Sequence, residues 1–119
     1  MSNAARRVLI VEDEMLIAIL LEDMLSELGY EVAAIASRVD TALPLIDTLT
    51  FDLAILDVNL AGESSFPVAD ALARKGRPYL FATGYGREGI ISEHAHRPVL
   101  VKPFSSRDLR FAIRSAFHD

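Results

Sequence analysis

The sequence predicts an α/β fold in which helices cover both faces of a five-stranded parallel sheet. Short runs of Val, Ile and Leu recur along the chain, as expected of strands that are buried on both faces. Stretches with apolar residues at helical spacing separate these runs. Neither a repeat nor a linker interrupts the alternation, so we expect one doubly wound domain over residues 1–119, in which residues 1–6 are a candidate tag or disordered segment.

Five apolar runs are the predicted strands. They are Val8–Val11, Val32–Ala36, Leu53–Leu56, Tyr79–Ala82 and Val99–Val101. The first run is followed directly by Glu12 and Asp13, the third by Asp57 and the fifth by Lys102. In open α/β sheets, ligands bind just beyond the carboxyl ends of the strands. We therefore expect these charged residues to converge at one edge of the sheet.

The first predicted helix extends from about Glu14 to Leu28. Gly29 follows it, where a left-handed C′ residue is expected. The helix has apolar residues at helical spacing, which are its predicted buried stripe. They are Ile17, Leu20, Leu21, Met24 and Leu28.

The second and third helices are bounded by prolines and glycines. Asp40–Leu49 is predicted as a weaker helix, because Pro44 is expected to be tolerated only in a first turn. A polar loop is expected over Asn59–Phe66. Pro67 then begins a helix that Gly76 closes.

The last helix has the clearest local pattern. Ser105 is a predicted N-cap with Asp108 at the N3 position, and Phe104 and Leu109 stand where a hydrophobic staple would. The predicted buried stripe is Leu109, Ala112, Ile113 and Ala116. By contrast, Gly84–Pro98 has three glycines close together, so a helix there is expected to be short or frayed.

Composition excludes several classes of function. The chain has no cysteine, which removes disulfides and thiolate chemistry. Its formal net charge of -5, without a Lys/Arg stripe, argues against direct binding of nucleic acid. No apolar stretch approaches the roughly 20 residues that span a bilayer, and no signal peptide is visible. We therefore expect a cytoplasmic protein with neither nucleic-acid nor membrane partners.

The acids at the strand ends indicate a metal site. Glu12, Asp13 and Asp57 would repel one another unless a cation lay among them. Carboxylates, carbonyls and water are ligands for a hard ion, and few protein ligands favour Mg²⁺ over Ca²⁺. The simpler alternative is a set of solvated acids near helix N-termini, where negative charge is favourable. Three acids at two strand ends, with Lys102 at a third, favour the metal site.

Asp57 has a second capability because it directly ends an apolar strand. A carboxylate can act as a nucleophile and carry a phosphoryl group. Such a transfer requires positive charge against the phosphoryl oxygens, and Lys102 offers a point charge on a flexible stem. Thr83 either donates its hydroxyl to the same group or is simply a β-branched residue that closes a strand. Gly84 leaves the approach sterically open.

In order, and roughly in spacing, these residues resemble the signature set of response-regulator receiver domains. The matching residues are Glu12-Asp13, Asp57, Thr83 and Lys102-Pro103. The resemblance covers the chain from Val8 to Phe117. It implies a flavodoxin-like (βα)5 fold with strand order 2-1-3-4-5.

The resemblance also implies roles for the site residues. Asp57 would be the phosphoacceptor. The Mg²⁺ ligands would be Glu12, Asp13, Asp57 and the backbone carbonyl of Asn59. The phosphoryl oxygens would be bound by Thr83, Gly84 and Lys102. A cis Lys102–Pro103 bond is implied by the family alone, since only about 5–6% of X–Pro bonds are cis.

One departure from the family pattern concerns the residue that changes conformation on phosphorylation, the switch residue. Most receivers carry an aromatic residue three positions before the lysine, which turns inward on phosphorylation, and here Val99 stands there. The segment Pro78-Tyr-Leu-Phe-Ala-Thr-Gly-Tyr85 resembles instead the "FATGUY" subgroup, which lacks that aromatic residue and is often linked to histidine kinases of the HWE or related type. The conformational switch is therefore expected after Thr83. Tyr85 is either the aromatic residue that changes environment there or simply a partly buried loop residue.

Two other enzyme or cofactor classes fit poorly. A haloacid-dehalogenase-type phosphatase requires a second acid two residues after the nucleophile, where Asn59 stands. A flavin binder requires a hydroxyl-rich phosphate loop after the first strand, where Glu12, Asp13 and Glu14 would repel a phosphate. The remaining alternative is a receiver fold that serves as a protein-interaction module and is not regulated by phosphorylation.

We interpret the chain as a stand-alone receiver of a two-component pathway. It would accept a phosphoryl group on Asp57 from a histidine kinase or a phosphotransfer protein. It would act as an enzyme only in promoting its own phosphorylation and hydrolysis. The signal would leave by protein contact or onward transfer, to a downstream protein that the sequence does not name.

Overall fold

Residues 6–84, 89–90 and 92–118 are described in the structure, which is a computed structural model. The strands are β1 (Arg7–Val11), β2 (Glu31–Ala36), β3 (Leu53–Asp57), β4 (Asn59–Leu60), β5 (Glu63–Ser64), β6 (Tyr79–Thr83) and β7 (Val99–Val101). The α-helices are α1 (Met15–Glu27), α2 (Val39–Thr48), α3 (Phe66–Arg74) and α4 (Ser106–Phe117).

Five of the strands form one parallel sheet in the order β2-β1-β3-β6-β7. Numbered within this sheet alone, the order is the predicted 2-1-3-4-5. The chain moves outward in one direction from β1 to β2 and in the other direction from β3 onward. A crevice opens at such a reversal, beyond the carboxyl ends of the two central strands. Glu12 directly follows β1 and Asp57 ends β3, so both lie at this point.

Two apolar layers enclose the sheet. One layer joins α1 and α4 to the sheet, and the other joins α2 and α3 to its opposite face. Both layers take residues from β1 and β3, which explains why these strands are continuous apolar runs. In the described part of the chain, no helix is both long and apolar enough to cross a bilayer.

The capping box and the buried stripe predicted for α4 are confirmed. The side chain of Ser105 accepts the N–H of Asp108, whose carboxylate accepts the N–H of Ser105, so the capping box is complete. The predicted stripe is buried against the sheet. It consists of Leu109, Ala112, Ile113 and Ala116.

The stripe predicted for α1 is wrong at one position. Leu20 is 42% exposed, whereas Ala18, Leu21 and Leu25 are buried. A step of two residues turns about 200° around a helix, so Leu20 cannot share the face of Ala18. The small Ala18 gave no hydrophobic signal of its own. Gly29, with φ 90, is the left-handed residue that was predicted after the helix.

Helix α2 continues through Pro44, which is its sixth residue and not part of the first turn. The sequence prediction that confined Pro44 to a first turn is therefore wrong. Pro44 cannot donate the helical hydrogen bond to the carbonyl of Asp40, which weakens the helix locally. Ala42 and Ile46 are buried on either side of it, and this packing outweighs the loss.

The segment predicted as a polar loop contains the antiparallel hairpin of β4 and β5. Its turn is formed by Ala61 and Gly62, with φ values of 51 and 88. Positive φ at both central residues is the requirement of a type I′ turn. Ala61 is the only non-glycine residue with positive φ in the described part of the chain.

Between β6 and β7, the described residues include a 3-10 turn at Ser92–His94. This short turn agrees with the expectation of weak helical structure in a glycine-rich segment. Residues 85–88 and 91 lie outside the described residues, and the predicted switch residue Tyr85 is among them.

Candidate functional site

The ends of β1 and β3 bring three acids together. Glu12, Asp13 and Asp57 each contribute a carboxylate oxygen to a group whose members all lie within 4.8 Å of one another. Glu12 is buried, with 2% of its surface exposed, whereas Asp57 is partly buried and Asp13 is exposed. The cluster therefore extends from the core to the solvent.

Lys102 bridges two of these acids. Its Nζ donates to Oε1 of Glu12 at 2.9 Å and to Oδ2 of Asp57 at 3.4 Å. The backbone places it there, because the N–H of Lys102 donates to the carbonyl of Thr83 at 2.9 Å and so joins the ends of β7 and β6. The Lys102–Pro103 peptide bond is cis. One lysine facing three acids leaves net negative charge in the cluster.

Burial and hydrogen bonding change the pKa values of Glu12 and Lys102. Removal from water raises the pKa of Glu12 to about 7, although the hydrogen bond from Lys102 opposes the rise. Burial lowers the pKa of Lys102, but its hydrogen bonds and charge interactions with Glu12 and Asp57 outweigh this effect and raise the pKa above its usual value. The lysine is therefore cationic at neutral pH, while Glu12 titrates close to neutrality.

The β4–β5 hairpin supports the exposed side of the cluster. Oδ2 of Asp13 accepts the backbone N–H of Ala61 at 3.1 Å. Oδ1 of Asn59 accepts the N–H of Gly62 at 2.9 Å, so the Asn59 side chain is engaged in closing the turn. Oε2 of Glu12 accepts the N–H of Glu14 at 3.1 Å. Backbone groups thus orient these side chains.

An open cavity of about 640 Å³ lies in front of the cluster. Its lining consists of Asp13, Glu14, Asp57, Val58, Asn59, Thr83, Gly84 and Lys102. Thr83 is buried at the end of β6, whereas Gly84 is exposed. A Cβ atom added to Gly84 would meet nothing within 4 Å, so the approach is open at this residue.

A larger groove, of about 830 Å³, lies between β7 and α4. Lys102 lines this groove, whereas Glu12, Asp13 and Asp57 do not. Cavity size alone therefore does not identify the site, and the convergence of charged side chains does.

The three acids fit Mg²⁺. This ion binds oxygen octahedrally at 2.0–2.1 Å, so its ligand atoms lie at most about 4.2 Å apart. The carboxylate oxygens of Glu12, Asp13 and Asp57 lie within 4.8 Å of one another, so only small side-chain rotations would be needed to bring them to this spacing. Mg²⁺ also retains several waters, which the open cavity accommodates.

Comparison with known proteins identifies the family. The sequence pattern of the response regulator receiver domain matches residues 8–114. The chain belongs to this family. Receiver domains are signalling modules of two-component systems that bind Mg²⁺ at an acidic pocket, and this receiver has an acidic cluster at the corresponding edge of its sheet.

The receiver is similar to the transcriptional regulatory protein PdtaR of Mycobacterium tuberculosis, with 36% identity over 115 residues. The alignment covers 93% of this chain and 56% of PdtaR, so the receiver spans about half the length of that relative. The solution structure of SdrG from Sphingomonas melonis Fr1 has 42% identity and a TM-score of 0.88, and the match covers 98% of this chain and 99% of SdrG. The BeF3-activated conformation of SdrG from Pseudomonas melonis Fr1 has 41% identity and a TM-score of 0.81, with 96% and 98% covered.

The structure brings most of the sequence-predicted site residues to one place. Glu12, Asp13 and Asp57 lie together, Lys102 donates to Glu12 and Asp57, and Thr83 lines the cavity in front of them. Val99 lies apart from them. It pairs with Phe81 across β6 and β7 and packs against the apolar layer of α2 and α3.

Two notable features of the receiver were missed by sequence reasoning. Ala61 adopts its left-handed conformation without the Asn-Gly or Asp-Gly pair that signals a type I′ turn. His94 is buried although it belongs to a segment with no apolar periodicity. The sequence has two histidines beside Arg97, His94 and His96, and nothing in it distinguishes the buried His94 from the exposed His96.

Proposed function

We propose that this receiver is a cytoplasmic phosphoacceptor of a two-component pathway that carries the phosphoryl group on Asp57. The observation that carries the proposal is the position of Lys102, whose Nζ lies between Glu12 and Asp57 at the floor of an open, acid-lined cavity. A nucleophilic carboxylate with an adjacent cation and ligands for a divalent ion is the arrangement that phosphoryl transfer requires.

The transfer is a displacement at phosphorus. A carboxylate oxygen of Asp57 forms the new O–P bond while the P–N bond of a donor phosphohistidine breaks, and the leaving imidazole keeps the electron pair. In hydrolysis, a water oxygen forms a bond to phosphorus while the O–P bond to Asp57 breaks. The carboxylate is then restored and inorganic phosphate leaves.

The other residues stabilise charge on the transferred group. Lys102 is within 3.4 Å of Asp57, from where its Nζ reaches an oxygen of a phosphoryl group on that residue. Thr83 and Gly84, at the end of β6, line the same cavity and would bind the remaining oxygens. Mg²⁺, held by Glu12, Asp13, Asp57 and the backbone carbonyl of Asn59, would supply further positive charge.

The phosphoryl donor is proposed to be a histidine kinase or a phosphotransfer protein that docks on α1. This helix begins two residues after Asp13 and exposes apolar side chains at its start. Leu16 is 82% exposed and Met15, Ile19 and Leu20 are also exposed, which is unusual for a helix of a soluble domain unless it meets a partner. The resemblance of the segment from Pro78 to Tyr85 to the FATGUY subgroup supports a kinase of the HWE or related type.

The same resemblance supports a switch without an inward-turning aromatic residue. Val99 has no ring, and as a β-branched strand residue its side chain is stiff. We propose that the segment after Thr83 carries the change instead. The BeF3-activated conformation of SdrG supports the expectation that a phosphoryl mimic also acts on this receiver.

Labelling with a small phosphodonor tests the proposal. Acetyl phosphate with Mg²⁺ should add one acid-stable, base-labile phosphoryl group, detected by intact mass. Asp57→Asn should abolish the label, whereas Asp23→Asn, at an exposed carboxylate of α1, should leave it unchanged. Equal labelling of the Asp57→Asn variant would show that the nucleophile is a different residue, and no labelling at all would favour an interaction module.

A second experiment tests the docking surface. Leu16→Glu should slow phosphoryl transfer from a phosphorylated histidine kinase, because it places a charge in the apolar contact. The same variant should react with acetyl phosphate at the original rate, since the small donor needs no docking surface. An equal loss with both donors would contradict a docking role for α1.

A further inference from the structure

Three hydrogen-bonded side chains connect the segment after β6 to the core. The hydroxyl of Tyr79 is hydrogen-bonded to Nδ1 of His94, and Nε2 of His94 lies 2.8 Å from Oδ1 of Asp70. Tyr79 belongs to β6, Asp70 belongs to α3 and His94 ends the 3-10 turn. The chain of bonds therefore fixes this turn to a strand and to a helix at once.

His94 is buried although its turn lies at the surface. Only 2% of His94 is exposed, whereas Glu93, Ala95 and His96 are exposed. The imidazole stacks on the ring of Phe66, with 5.8 Å between the ring centroids and an interplanar angle of 16°. One side chain thus enters the core from an exposed turn and holds that turn in place.

Both ring nitrogens of His94 have a hydrogen-bond partner in the described part of the chain. A carboxylate oxygen of Asp70 accepts from a ring N–H, which assigns a hydrogen to Nε2. Nδ1 is hydrogen-bonded to the hydroxyl of Tyr79, a group that can either donate or accept. A buried network of this kind specifies one arrangement, because displacing His94 would remove a buried hydrogen-bond partner from the Tyr79 hydroxyl, which also interacts with Arg97.

His94 is bonded to β6, the strand that ends at the proposed phosphoryl site. Side chains two residues apart in a strand share a face, so Tyr79, Phe81 and Thr83 lie along one face of β6. His94 contacts Tyr79 and Phe81 edge-on, with ring centroids 5.7 and 6.0 Å away. The turn at Ser92–His94 is therefore fastened to the same face of β6 that ends at Thr83.

We propose that the Asp70–His94–Tyr79 chain is a latch that holds the segment formed by the turn Ser92–His94 in its resting position, against which phosphorylation of Asp57 acts. A bound phosphoryl group that moves Thr83 and the following residues must strain or break the hydrogen bonds of the latch at His94. The free energy of the latch then reduces the population of the active conformation and the apparent affinity for a phosphoryl mimic. The link to phosphorylation rests on the proposed function, whereas the anchoring of the segment does not.

The first test measures anchoring without any phosphoryl group. Tyr79→Phe keeps the ring and removes the hydroxyl, and Asp70→Ala removes the other partner at a side chain that is 51% exposed and so is tolerated by the fold. Both should speed amide exchange across residues 92–97 about tenfold while leaving β1 and β3 unchanged. Asp70→Asn keeps an oxygen acceptor and should have a smaller effect, and Tyr30→Phe, outside the latch, should have none. Unchanged exchange across residues 92–97, or equal acceleration throughout the chain, would overturn the latch.

The second test measures coupling to the site. Beryllofluoride with Mg²⁺ should bind Tyr79→Phe and Asp70→Ala more than threefold tighter than the original protein, because less free energy is needed to release the segment. Unchanged affinity, in a protein that labels on Asp57, would overturn the role of the latch in signalling. Failure of Asp57 to label would instead refute the proposed function, and the exchange experiment would still decide whether the latch holds the segment.

Discussion

The carboxylate of Asp13 accepts the backbone N–H of Ala61 at 3.1 Å, which connects an acid of the candidate metal site to the tip of the β4–β5 hairpin. Ala61 is held at φ 51, a conformation that its Cβ disfavours. Asp13 therefore has two functions, as a negative charge in the cluster and as an acceptor for the turn. Substitutions at these two residues separate the functions.

Asp13→Asn should weaken Mg²⁺ binding at least tenfold, because it removes a negative ligand from a site with few protein ligands. It retains an oxygen that accepts the N–H of Ala61, and it relieves repulsion among the acids, so the metal-free protein should be as stable or more stable. Asp13→Ala should lose metal affinity equally but be less stable than Asp13→Asn by about 0.5–1.5 kcal/mol. Calorimetric Mg²⁺ titration and urea unfolding measure the two effects. Unchanged Mg²⁺ affinity in both variants would exclude Asp13 as a ligand.

Ala61→Gly should stabilise the protein by about 0.5–1 kcal/mol. The left-handed conformation costs an alanine about 1–2 kcal/mol, and the greater freedom of glycine in the unfolded chain offsets part of the gain. Gly62→Ala, at φ 88, is the matched opposite and should be destabilising although no atom would obstruct its Cβ. Urea unfolding compares the two, and destabilisation by Ala61→Gly would mean that the turn is not strained.

Mg²⁺ affinity should fall as the pH drops below about 7. Burial raises the pKa of Glu12 to about 7, so a proton must leave this carboxylate before it binds the ion, and the affinity should change up to tenfold per pH unit.

The stability of the metal-free fold should depend on pH in the opposite direction and fall as the pH rises. The stability linked to Glu12 is fully present below its ordinary pKa of 4.5 and is lost as the pH rises through about 7, because the folded protein holds the proton longer.

Glu12→Gln is the control for this pH dependence. Glutamine has no proton to lose, so the variant should show a flatter profile of both Mg²⁺ affinity and unfolding free energy between pH 5 and pH 8. Profiles that match those of the original protein would place the titrating group elsewhere.

Beryllofluoride should change amide exchange most across residues 84–96, the segment that follows Thr83 and contains His94 of the latch. Thr83→Ala should reduce the change, because it removes the hydroxyl proposed to bind the phosphoryl group. Val99→Ala is the matched control in β7 and should respond like the original protein. A response that spares residues 84–96 and appears elsewhere would place the switch in another element.

Much of the fold was predictable because strands buried on both faces leave continuous apolar runs. The run from Val99 to Val101 matches β7 at both ends, and β3 extends the predicted run by one residue, Asp57. The charged cluster was predictable for a related reason. A parallel sheet brings all its carboxyl ends to one edge, so residues distant in sequence meet there without any local signal.

The features that were missed depend on tertiary contacts. Pro44 lies inside a helix because Ala42 and Ile46 are buried around it, which outweighs its local preference. Ala61 adopts positive φ in a hairpin whose turn donates a backbone N–H to Asp13, 48 residues away. His94 is buried because Phe66, Tyr79 and Asp70 form a site for it, and none of them is close to it in sequence.

The bridge made by Lys102 has a consequence for how the protein folds. Its partners Glu12 and Asp57 lie 90 and 45 residues earlier in the chain, so the bridge joins residues that are far apart in sequence. Contacts of such large sequence separation form slowly, because the loop entropy is lost before the contact is gained. Lys102 directly follows β7, a strand of three residues at the edge of the sheet. Until β7 pairs with the sheet, the acids therefore lie close together without the positive charge of the lysine. Separation of β7 from the sheet, with the other strands still paired, would be enough to remove the lysine from Asp57. Reactivity with a phosphodonor is therefore expected to be acquired late in folding and lost early in unfolding.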